Sequence, residues 1–332
     1  MIELYGTLGP ACADRRTLAK MFEEGMSGMR LNLSHGGLSH STGMLQEFEA
    51  AAKPWPRRRL MIDLQGPELR IGDESSPILL VDKEEFFFSS ETFSLPAIVL
   101  EVLEKGDELL LDDGRISCTV TGKEVKKTRV MVRTGGMLKA RKNIKVVGKD
   151  VHGASLTSQD TENIKLAKSF HVNEVMCPFV TTARQLIQTR AALEQHGCGD
   201  FRIFAKIENK EGMRHLEEIL SLADVIVIAR GDLGNDMPLW ELPAAQKEIE
   251  EKCLAAGKEF LVVTQMLASM TQNPVPTRAE LLDIFNAVLD GASALMLTNE
   301  TAEGKYPDKA MMYLRRTAQE AKKWQKGGIN HD

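Results

Sequence analysis

The feature that most constrains the fold of this chain is a repeated alternation of short apolar runs with longer amphipathic stretches. The runs predict eight buried strands, at residues 2–8, 28–33, 59–64, 172–179, 202–207, 224–229, 259–264 and 293–298. The stretches predict helices over 15–24, 38–52, 161–170, 182–196, 211–222, 242–256, 278–289 and 308–324. Because eight strand-helix units favour a closed parallel sheet, we expect an α/β fold, the (β/α)8 barrel, with its chemistry at the carboxyl ends of the strands.

Residues 73–150 interrupt this alternation after the third strand. Strand-like runs at 86–88, 108–111, 116–121 and 128–133 are separated by turn sequences, so we expect an inserted small β-barrel domain there. Removing this segment leaves 254 residues, close to the roughly 250 of a plain barrel. The barrel domain is therefore expected over 1–72 and 151–332.

Charge is distributed unevenly within the insert. Residues 73–113 carry twelve acidic and two basic side chains, whereas residues 114–150 carry eleven basic and two acidic ones. This asymmetry fits either a solvated β surface or a lid whose basic half faces phosphates in a cleft.

Composition excludes several classes of protein. The net charge of −5 offers no general electrostatic footprint for nucleic acid or for an anionic membrane, so we expect neither as a partner. No apolar run approaches a membrane span, and the first residues lack the pattern of a signal peptide. The five cysteines are dispersed without a CxxC pair, which argues against a disulfide framework and favours a reducing, cytoplasmic location.

The strongest local signal follows the fifth and sixth strands. Lys206 and Glu208 are two residues apart, so both side chains leave the strand on the same face, and Asp232 follows the neighbouring strand. Two carboxylates without histidine or cysteine beside them suit Mg²⁺ or Mn²⁺ rather than zinc. The alternative is a buried Lys-Glu ion pair that only stabilises the barrel.

A second signal ends the second and third strands. Period-two alternation places Arg30, Asn32 and Ser34 on one face. An arginine there suits a phosphate or a carboxylate, and neutral amide and hydroxyl oxygens suit a monovalent cation or hydrogen bonds to a substrate. The same triplet also occurs as a polar entry to a helix. The third strand adds weight, because its end carries two more carboxylates and an arginine within residues 63–70.

These segments, in this order, resemble the pyruvate kinase family. The resemblance covers nearly the whole chain. The matching stretches are Thr7-Leu8-Gly9-Pro10, residues 29–36, Gly66-Pro67-Glu68-Leu69-Arg70, Leu111-Asp112-Asp113-Gly114, residues 206–212, residues 229–234, Thr264-Gln265-Met266-Leu267, Pro276-Thr277-Arg278-Ala279-Glu280 and Glu300-Thr301-Ala302-Glu303-Gly304. The resemblance implies a barrel of the phosphoenolpyruvate/pyruvate type that transfers a phosphoryl group from phosphoenolpyruvate to ADP through a metal-bound enolate.

The resemblance also implies a role for individual residues. Lys206, Thr264 and Arg30 are the expected catalytic residues, and the same three side chains with the backbone of Gly231 and Asp232 are expected to bind the substrate. Glu208 and Asp232 would hold the divalent Mg²⁺ or Mn²⁺. The implied K⁺ ligands are Asn32, Ser34, Asp63 and Leu64, and Glu68 is the residue type that accompanies K⁺ dependence. The implied nucleotide-binding residues are His35, Arg70, Asp113 and Lys142.

The chain departs from the family pattern at several positions. Gln65 replaces the usual lysine, Thr181 an arginine, and the segment around Lys145 differs from the usual lid hinge. Family members usually continue well beyond the eighth helix, whereas this sequence stops at Asp332. We therefore expect no C-terminal regulatory domain and at most a homodimer through the barrel, rather than a tetramer.

Two other functions remain open. Related barrels bind pyruvate through a divalent metal and make or break a carbon bond at its enolate, which would make the chain a 2-oxo-acid lyase (aldolase). The retained Lys206 and Arg30 count against this, because an aldolase has no phosphoryl group to neutralise. The third possibility is a pyruvate-kinase-like paralogue with another phosphoryl acceptor or with a binding role alone.

Overall fold

The structure, a computed structural model, describes residues 2–55, 58–66, 69–112, 114–124, 126–149, 151 and 153–327. It divides the chain into two compact units. The first unit comprises residues 1–65 and 156–332, and the second comprises residues 66–155. The sequence-based bounds of the insert, 73–150, lie inside the second unit.

The first unit is built on a closed parallel barrel. The strands of the chain, in order, are β1 Glu3–Thr7, β2 Gly28–Asn32, β3 Arg59–Asp63, β4 Ile78–Leu80, β5 Glu85–Phe88, β6 Glu108–Leu111, β7 Ile116–Lys123, β8 Thr128–Thr134, β9 Gly136–Leu138, β10 Ile144–Val146, β11 Glu174–Cys177, β12 Arg202–Ile207, β13 Val225–Ala229, β14 Glu259–Val263 and β15 Ala294–Met296. The barrel closes in the order β1-β15-β14-β13-β12-β11-β3-β2. All eight predicted barrel strands are confirmed within one or two residues of their expected ends.

Helices follow the barrel strands at most of the predicted positions. The helices of the chain are α1 Arg15–Glu23, α2 Thr42–Ala52, α3 Ala97–Val102, α4 Ser158–Ala167, α5 Ala183–Gln195, α6 Lys210–Arg214, α7 Leu216–Leu222, α8 Arg230–Asn235, α9 Leu242–Ala255, α10 Arg278–Leu289, α11 Asn299–Ala302 and α12 Pro307–Gly327. The helix predicted over 211–222 is two helices, α6 and α7, joined at His215. Helix α8 follows β13 directly, which agrees with the expectation that Gly231 and Asp232 lie at the start of a helix, although apolar periodicity did not indicate it.

Alternation along the strands separates two apolar layers. In β13, Val225, Val227 and Ala229 belong to the cluster inside the barrel, whereas Ile226 and Ile228 belong to the larger cluster between strands and helices. In β12 Phe204 lies inside the barrel and Ile203 outside it. Lys206 has the same parity as Phe204, so the strand period aims it at the interior.

The two ends of the inserted segment are fixed to one buried carboxylate of the first unit. The backbone N–H of Gln65, the last residue before the second unit, donates to Oδ1 of Asp160 at 2.7 Å. The N–H of Thr157, which caps α4 just after the second unit, donates to Oδ2 of the same residue at 2.9 Å. Asp160 is fully buried, so it serves as helix cap and chain anchor together.

The second unit is built mainly of antiparallel strands. Five of them form a sheet in the order β10-β6-β7-β8-β5, and β4 pairs with β9. The strand-like runs predicted at 86–88, 108–111, 116–121 and 128–133 are all strands. Helix α3 was not predicted. The unit has its own apolar core, which includes Leu109, Val120 and Val130.

No helix within the described ranges is both long and apolar enough to cross a lipid bilayer.

Candidate active site

A lysine and a glutamate meet at the carboxyl end of β12. Lys206 Nζ lies 2.9 Å from Glu208 Oε1, with 14% of the lysine side chain exposed and none of the glutamate side chain. The backbone N–H of Phe179, at the end of the neighbouring strand, donates to Glu208 Oε2 at 2.6 Å. Glu208 is thus held from two sides, by a cation and by a backbone donor.

Burial and the neighbouring charges together set the ionisation of this pair. Burial raises the pKa of Glu208 to about 8, and the Asp232 carboxylate adds to the rise, although Lys206 opposes it. Burial by itself would lower the pKa of Lys206, but the carboxylates of Asp63 and Glu208 outweigh this effect. The pKa of Lys206 is therefore raised, and the ammonium stays charged. A buried carboxylate destabilised by burial and by a second carboxylate is typical of a site completed by a cation.

Arg30 and Lys206 share one acidic partner. Arg30 donates through Nε at 2.9 Å and through Nη2 at 2.6 Å to Asp63 Oδ2, and its Nη1 donates to Thr7 Oγ1 at 3.3 Å. Lys206 Nζ lies 3.6 Å from the same Asp63 oxygen. The structure therefore brings two cations together around one buried carboxylate, a concentration of positive charge that suits a phosphoryl group.

The residues expected to bind K⁺ lie at the ends of β2 and β3. Asn32 and Asp63 are partners in the parallel register, Leu64 follows Asp63 directly, and Ser34 lies two residues after Asn32. The side-chain oxygen of Asn32 accepts the N–H of Ser34 at 3.0 Å. Asp63 Oδ1 is buried and has no hydrogen-bond partner among the described residues. This donor set, with neutral oxygens and one orphaned carboxylate oxygen, fits a monovalent cation.

Thr264 lies beside the start of α8 in a strained conformation. Its φ is +78° and that of Gln265 is +57°, and positive φ in a β-branched residue costs about 1–3 kcal/mol. A Cβ added to Gly231 would come within 3.0 Å of Thr264 Cγ2. The threonine side chain therefore lies against the backbone of Gly231, the residue before Asp232.

Several expected nucleotide-binding residues belong to the second unit. There Arg70 donates to the carbonyl of Arg141 at 2.8 Å, and Lys142 Nζ lies 2.5 Å from Asp112 Oδ1. Asp113 and Glu68 lie outside the described residues. His35 ends a 3₁₀ turn, Leu33–His35, that follows β2.

The positions that depart from the family pattern have defined surroundings. Gln65 donates from Nε2 to the carbonyl of Leu33 at 3.0 Å. Thr181 is buried, and its N–H donates to Gln185 Oε1 at 2.7 Å within the N-terminal cap of α5. Lys145 lies on β10. None of these residues replaces a member of the cluster formed by Arg30, Lys206 and their carboxylate partners.

Two features of the site were missed by sequence reasoning. One is the pairing of Arg30 with Asp63, because Asp63 was assigned to K⁺ alone. The other is Arg230, whose guanidinium donates to the carbonyl of Thr264 and to the carboxylate of Asp283. Arg230 belongs to the motif of residues 229–234. Its bond to the carbonyl of Thr264, 34 residues away, leaves no local pattern in the sequence.

Comparisons with known proteins agree with this geometry. The family model described as "Pyruvate kinase, barrel domain" matches residues 2–311. A pyruvate kinase of Bacillus licheniformis is 34% identical over 98% of this chain and 57% of its own length. Plastidial pyruvate kinase 2 of Arabidopsis thaliana is 38% identical over 92% of this chain and 54% of its own. A pyruvate kinase of Aeropyrum pernix is 34% identical over 97% of this chain and 71% of its own.

The chain spans little more than half the length of the first two relatives. The matched family model covers nearly all of the chain, including both of the strands that carry Arg30 and Lys206. The expected resemblance is therefore confirmed by independent matches, and the chain belongs to the pyruvate kinase family.

Proposed function

We propose that this chain transfers the phosphoryl group of phosphoenolpyruvate to ADP and so forms pyruvate and ATP. In this reaction the bond between phosphorus and the enol oxygen breaks, a bond to the terminal phosphate oxygen of ADP forms, and the enolate carbon takes up a proton. The observation that carries the proposal is the buried cluster of Lys206, Arg30 and Asp63 at the same barrel end as Glu208.

Lys206 and Arg30 supply the positive charge that phosphoryl transfer requires. Both side chains lie within ion-pair distance of the same Asp63 oxygen, so they can contact one phosphoryl group together. One ammonium at 4 Å from a negative charge contributes on the order of 4 kcal/mol at an effective dielectric near 20. Lys206 would therefore stabilise the charge on the phosphoryl group in transit, and Arg30 would hold the phosphate in place.

Glu208 and Asp232 fit a divalent cation, Mg²⁺ or Mn²⁺. Their donors are carboxylate oxygens, and Glu208 Oε1 is buried with no hydrogen-bond partner among the described residues beyond its ion pair with Lys206. When bound, the cation supplies charge neutralisation at the phosphoryl and enolate oxygens. Asn32, Ser34, Asp63 and the carbonyl of Leu64 would hold K⁺.

Thr264 and the start of α8 serve the other end of the substrate. The backbone N–H groups of Gly231 and Asp232 would receive the carboxylate of phosphoenolpyruvate. Thr264 lies against Gly231, so its hydroxyl would stand beside the enolate carbon that takes up the proton. The strained backbone of Thr264 supports this role, because strain of this kind concentrates at functional sites.

The acceptor and the assembly complete the proposal. His35, Arg70, Asp113 and Lys142 would bind the nucleotide, and the segment 73–150 would act as a lid. The protein would assemble as a homodimer through its barrel. The five cysteines are buried and unpaired, which supports a reducing location such as the cytoplasm.

A coupled assay tests the reaction directly. Pyruvate formed from phosphoenolpyruvate and ADP, with Mg²⁺ and K⁺, is followed by its reduction with lactate dehydrogenase. We expect turnover by the wild type and a loss of at least about a hundredfold in kcat for Lys206→Met, since one catalytic cation is removed. Lys323→Met, at an exposed lysine of α12, is the matched control and should retain activity.

Two results would contradict the proposal. One is the absence of pyruvate with every nucleoside diphosphate tried, and the other is full activity of Lys206→Met. Cleavage of a 2-oxo acid in place of phosphoryl transfer would instead identify a lyase.

A further inference from the structure

Arg230 joins three elements around Thr264. It begins α8, and its Nε and Nη2 both donate to the carbonyl oxygen of Thr264, at 3.1 and 2.7 Å. Its Nη1 lies 2.8 Å from each carboxylate oxygen of Asp283 on α10. One edge of the guanidinium therefore donates to the residue after β14, and Nη1 donates to the Asp283 carboxylate.

The Thr264 carbonyl that accepts these bonds belongs to a strained stretch of backbone, residues 264 and 265. Thr264 and Gln265 are consecutive residues with positive φ, and neither is glycine. Such a conformation persists only where surrounding contacts over-determine it. Two N–H donors in one plane fix both the position and the direction of the Thr264 carbonyl, which is a constraint that a flexible ammonium cannot reproduce.

Burial makes this constraint effective. Only 13% of the Arg230 side chain is exposed, and 35% of Asp283. The residue after Arg230 is Gly231, whose backbone lies against the Thr264 side chain. Two consecutive residues thus contact Thr264: Arg230 donates to its carbonyl, and Gly231 lies against its side chain.

We propose that Arg230 is a positioning residue that holds the Thr264 hydroxyl where the enolate carbon is protonated, and that Asp283 orients Arg230 for this task. The inference rests on the proposed function, which assigns the proton transfer to Thr264. It adds two residues that act through the backbone of Thr264 and need not touch the substrate.

The test separates protonation from phosphoryl binding. Arg230→Lys keeps the charge but loses the planar pair of donors. We expect kcat to fall by about 10- to 100-fold, since a displacement of about 1 Å in a reacting group has that effect. The KM for phosphoenolpyruvate should stay within about twofold, because uniform binding is unaffected. The rate at which the methyl hydrogens of pyruvate exchange with deuterium from solvent should fall by a similar factor, because this exchange runs through the reverse of the proton transfer. The solvent isotope effect on kcat should rise, since proton transfer then limits the rate.

Two further variants sharpen the result. Asp283→Asn leaves Arg230 bound to the Thr264 carbonyl, so it should shift kcat and exchange in the same direction but less. Arg316→Lys, at an exposed arginine of α12, is the matched control and should change nothing.

Three outcomes would overturn the inference. The first is unchanged exchange and kcat in both Arg230→Lys and Asp283→Asn. The second is a loss of kcat that follows a lower melting temperature with an unaltered isotope effect, which would make Arg230 a purely structural residue. The third is a rise in the KM for phosphoenolpyruvate without a fall in kcat. Absence of pyruvate formation and exchange in the wild type would overturn the proposed function as well, so the two failures are distinguishable.

Discussion

Gly231 and Thr264 contact each other so closely that a side chain at the glycine would require the threonine to shift by a few tenths of an ångström. The ideal Cβ at Gly231 lies 3.0 Å from Thr264 Cγ2 and 3.6 Å from its hydroxyl oxygen. Gly231 lies in α8, where alanine is otherwise a better helix former than glycine by about 1 kcal/mol. Under the proposed function, helix stability and the position of the Thr264 hydroxyl therefore make opposite demands at this position.

We predict that Gly231→Ala lowers kcat by about tenfold or more, because the added methyl group pushes the Thr264 hydroxyl away from its position. The free energy of unfolding should be unchanged or higher by up to about 1 kcal/mol. The coupled assay measures the first quantity and urea unfolding the second.

Gly43→Ala is the matched control for this prediction. Gly43 is a helical glycine of α2, and nothing lies within 4 Å of a Cβ added there. It should gain stability without losing activity. Equal kinetics in Gly231→Ala and Gly43→Ala would show that the close contact with Thr264 has no catalytic consequence.

The two halves of the site differ in how far the sequence predicts them. Lys206 and Glu208 were predictable as neighbours because a strand has period two, and the structure places them 2.9 Å apart. The conformation of Thr264 was not predictable, because threonine has no intrinsic preference for positive φ. Arg230, which donates to the Thr264 carbonyl, and its partner Asp283 are brought there by tertiary folding alone.

At the scale of elements, the start of α10 is tied to the turn that follows the site. Thr277 and Glu280 form a capping box, with the Thr277 N–H donating to Glu280 Oε2 at 2.8 Å. Glu280 also accepts the N–H and the hydroxyl of Ser269 at 2.7 and 2.6 Å. Burial opposes ionisation of Glu280, but the hydrogen bonds from Ser269 and Thr277 outweigh it and hold its pKa below the ordinary value of 4.5.

We predict that Glu280→Gln lowers the free energy of unfolding by about 1 kcal/mol near neutral pH, the usual effect of a lost cap. Because the folded pKa is lowered, the unfolded state binds more protons between the two pKa values. The wild-type advantage is therefore complete above pH 4.5 and is lost as the pH falls through the folded pKa. Urea unfolding of both proteins over this pH range measures it.

Glu251→Gln, at an exposed glutamate of α9, provides the comparison because it removes the same charge without a cap. Its stability relative to the wild type should stay nearly constant over the same pH range. A Glu280→Gln deficit that is independent of pH would contradict the assigned cause.

Elements with strong periodicity were predicted well, and short ones were not. Helix α10 was predicted with its observed bounds, 278–289, from its apolar spacing, and the structure adds a capping box of Thr277 and Glu280 at the same start. Helices α3 and α8 have only six residues each, too few to show a period. The break between α6 and α7 falls at His215, which carries no proline or glycine signal.

At the scale of the whole molecule, the chain has more than one core. Leu109 is fully buried in the apolar cluster of the second unit, and Leu314 is fully buried in the cluster between the barrel and its helices. Each core therefore stabilises its own unit.

We predict that Leu109→Ala destabilises the second unit by about 2–5 kcal/mol, the usual cost of a large-to-small change in a core. Hydrogen exchange read by mass spectrometry should then accelerate within residues 66–155 and stay unchanged in the barrel strands. Leu314→Ala should give the complementary pattern, with faster exchange in the first unit. Uniform acceleration across both units in either variant would show a single cooperative structure.

The anchoring of Gln65 and Thr157 to Asp160 has a consequence for how the inserted segment can be exchanged. The Asp160 carboxylate accepts hydrogen bonds from residues just before and just after the inserted segment. The distance between these two attachment points is therefore set by the barrel and not by the segment inserted between them. Whatever length or sequence occupies that interval, the barrel meets the same two fixed ends. An engineered exchange of the inserted segment that keeps Gln65, Thr157 and Asp160 should therefore leave the barrel folded.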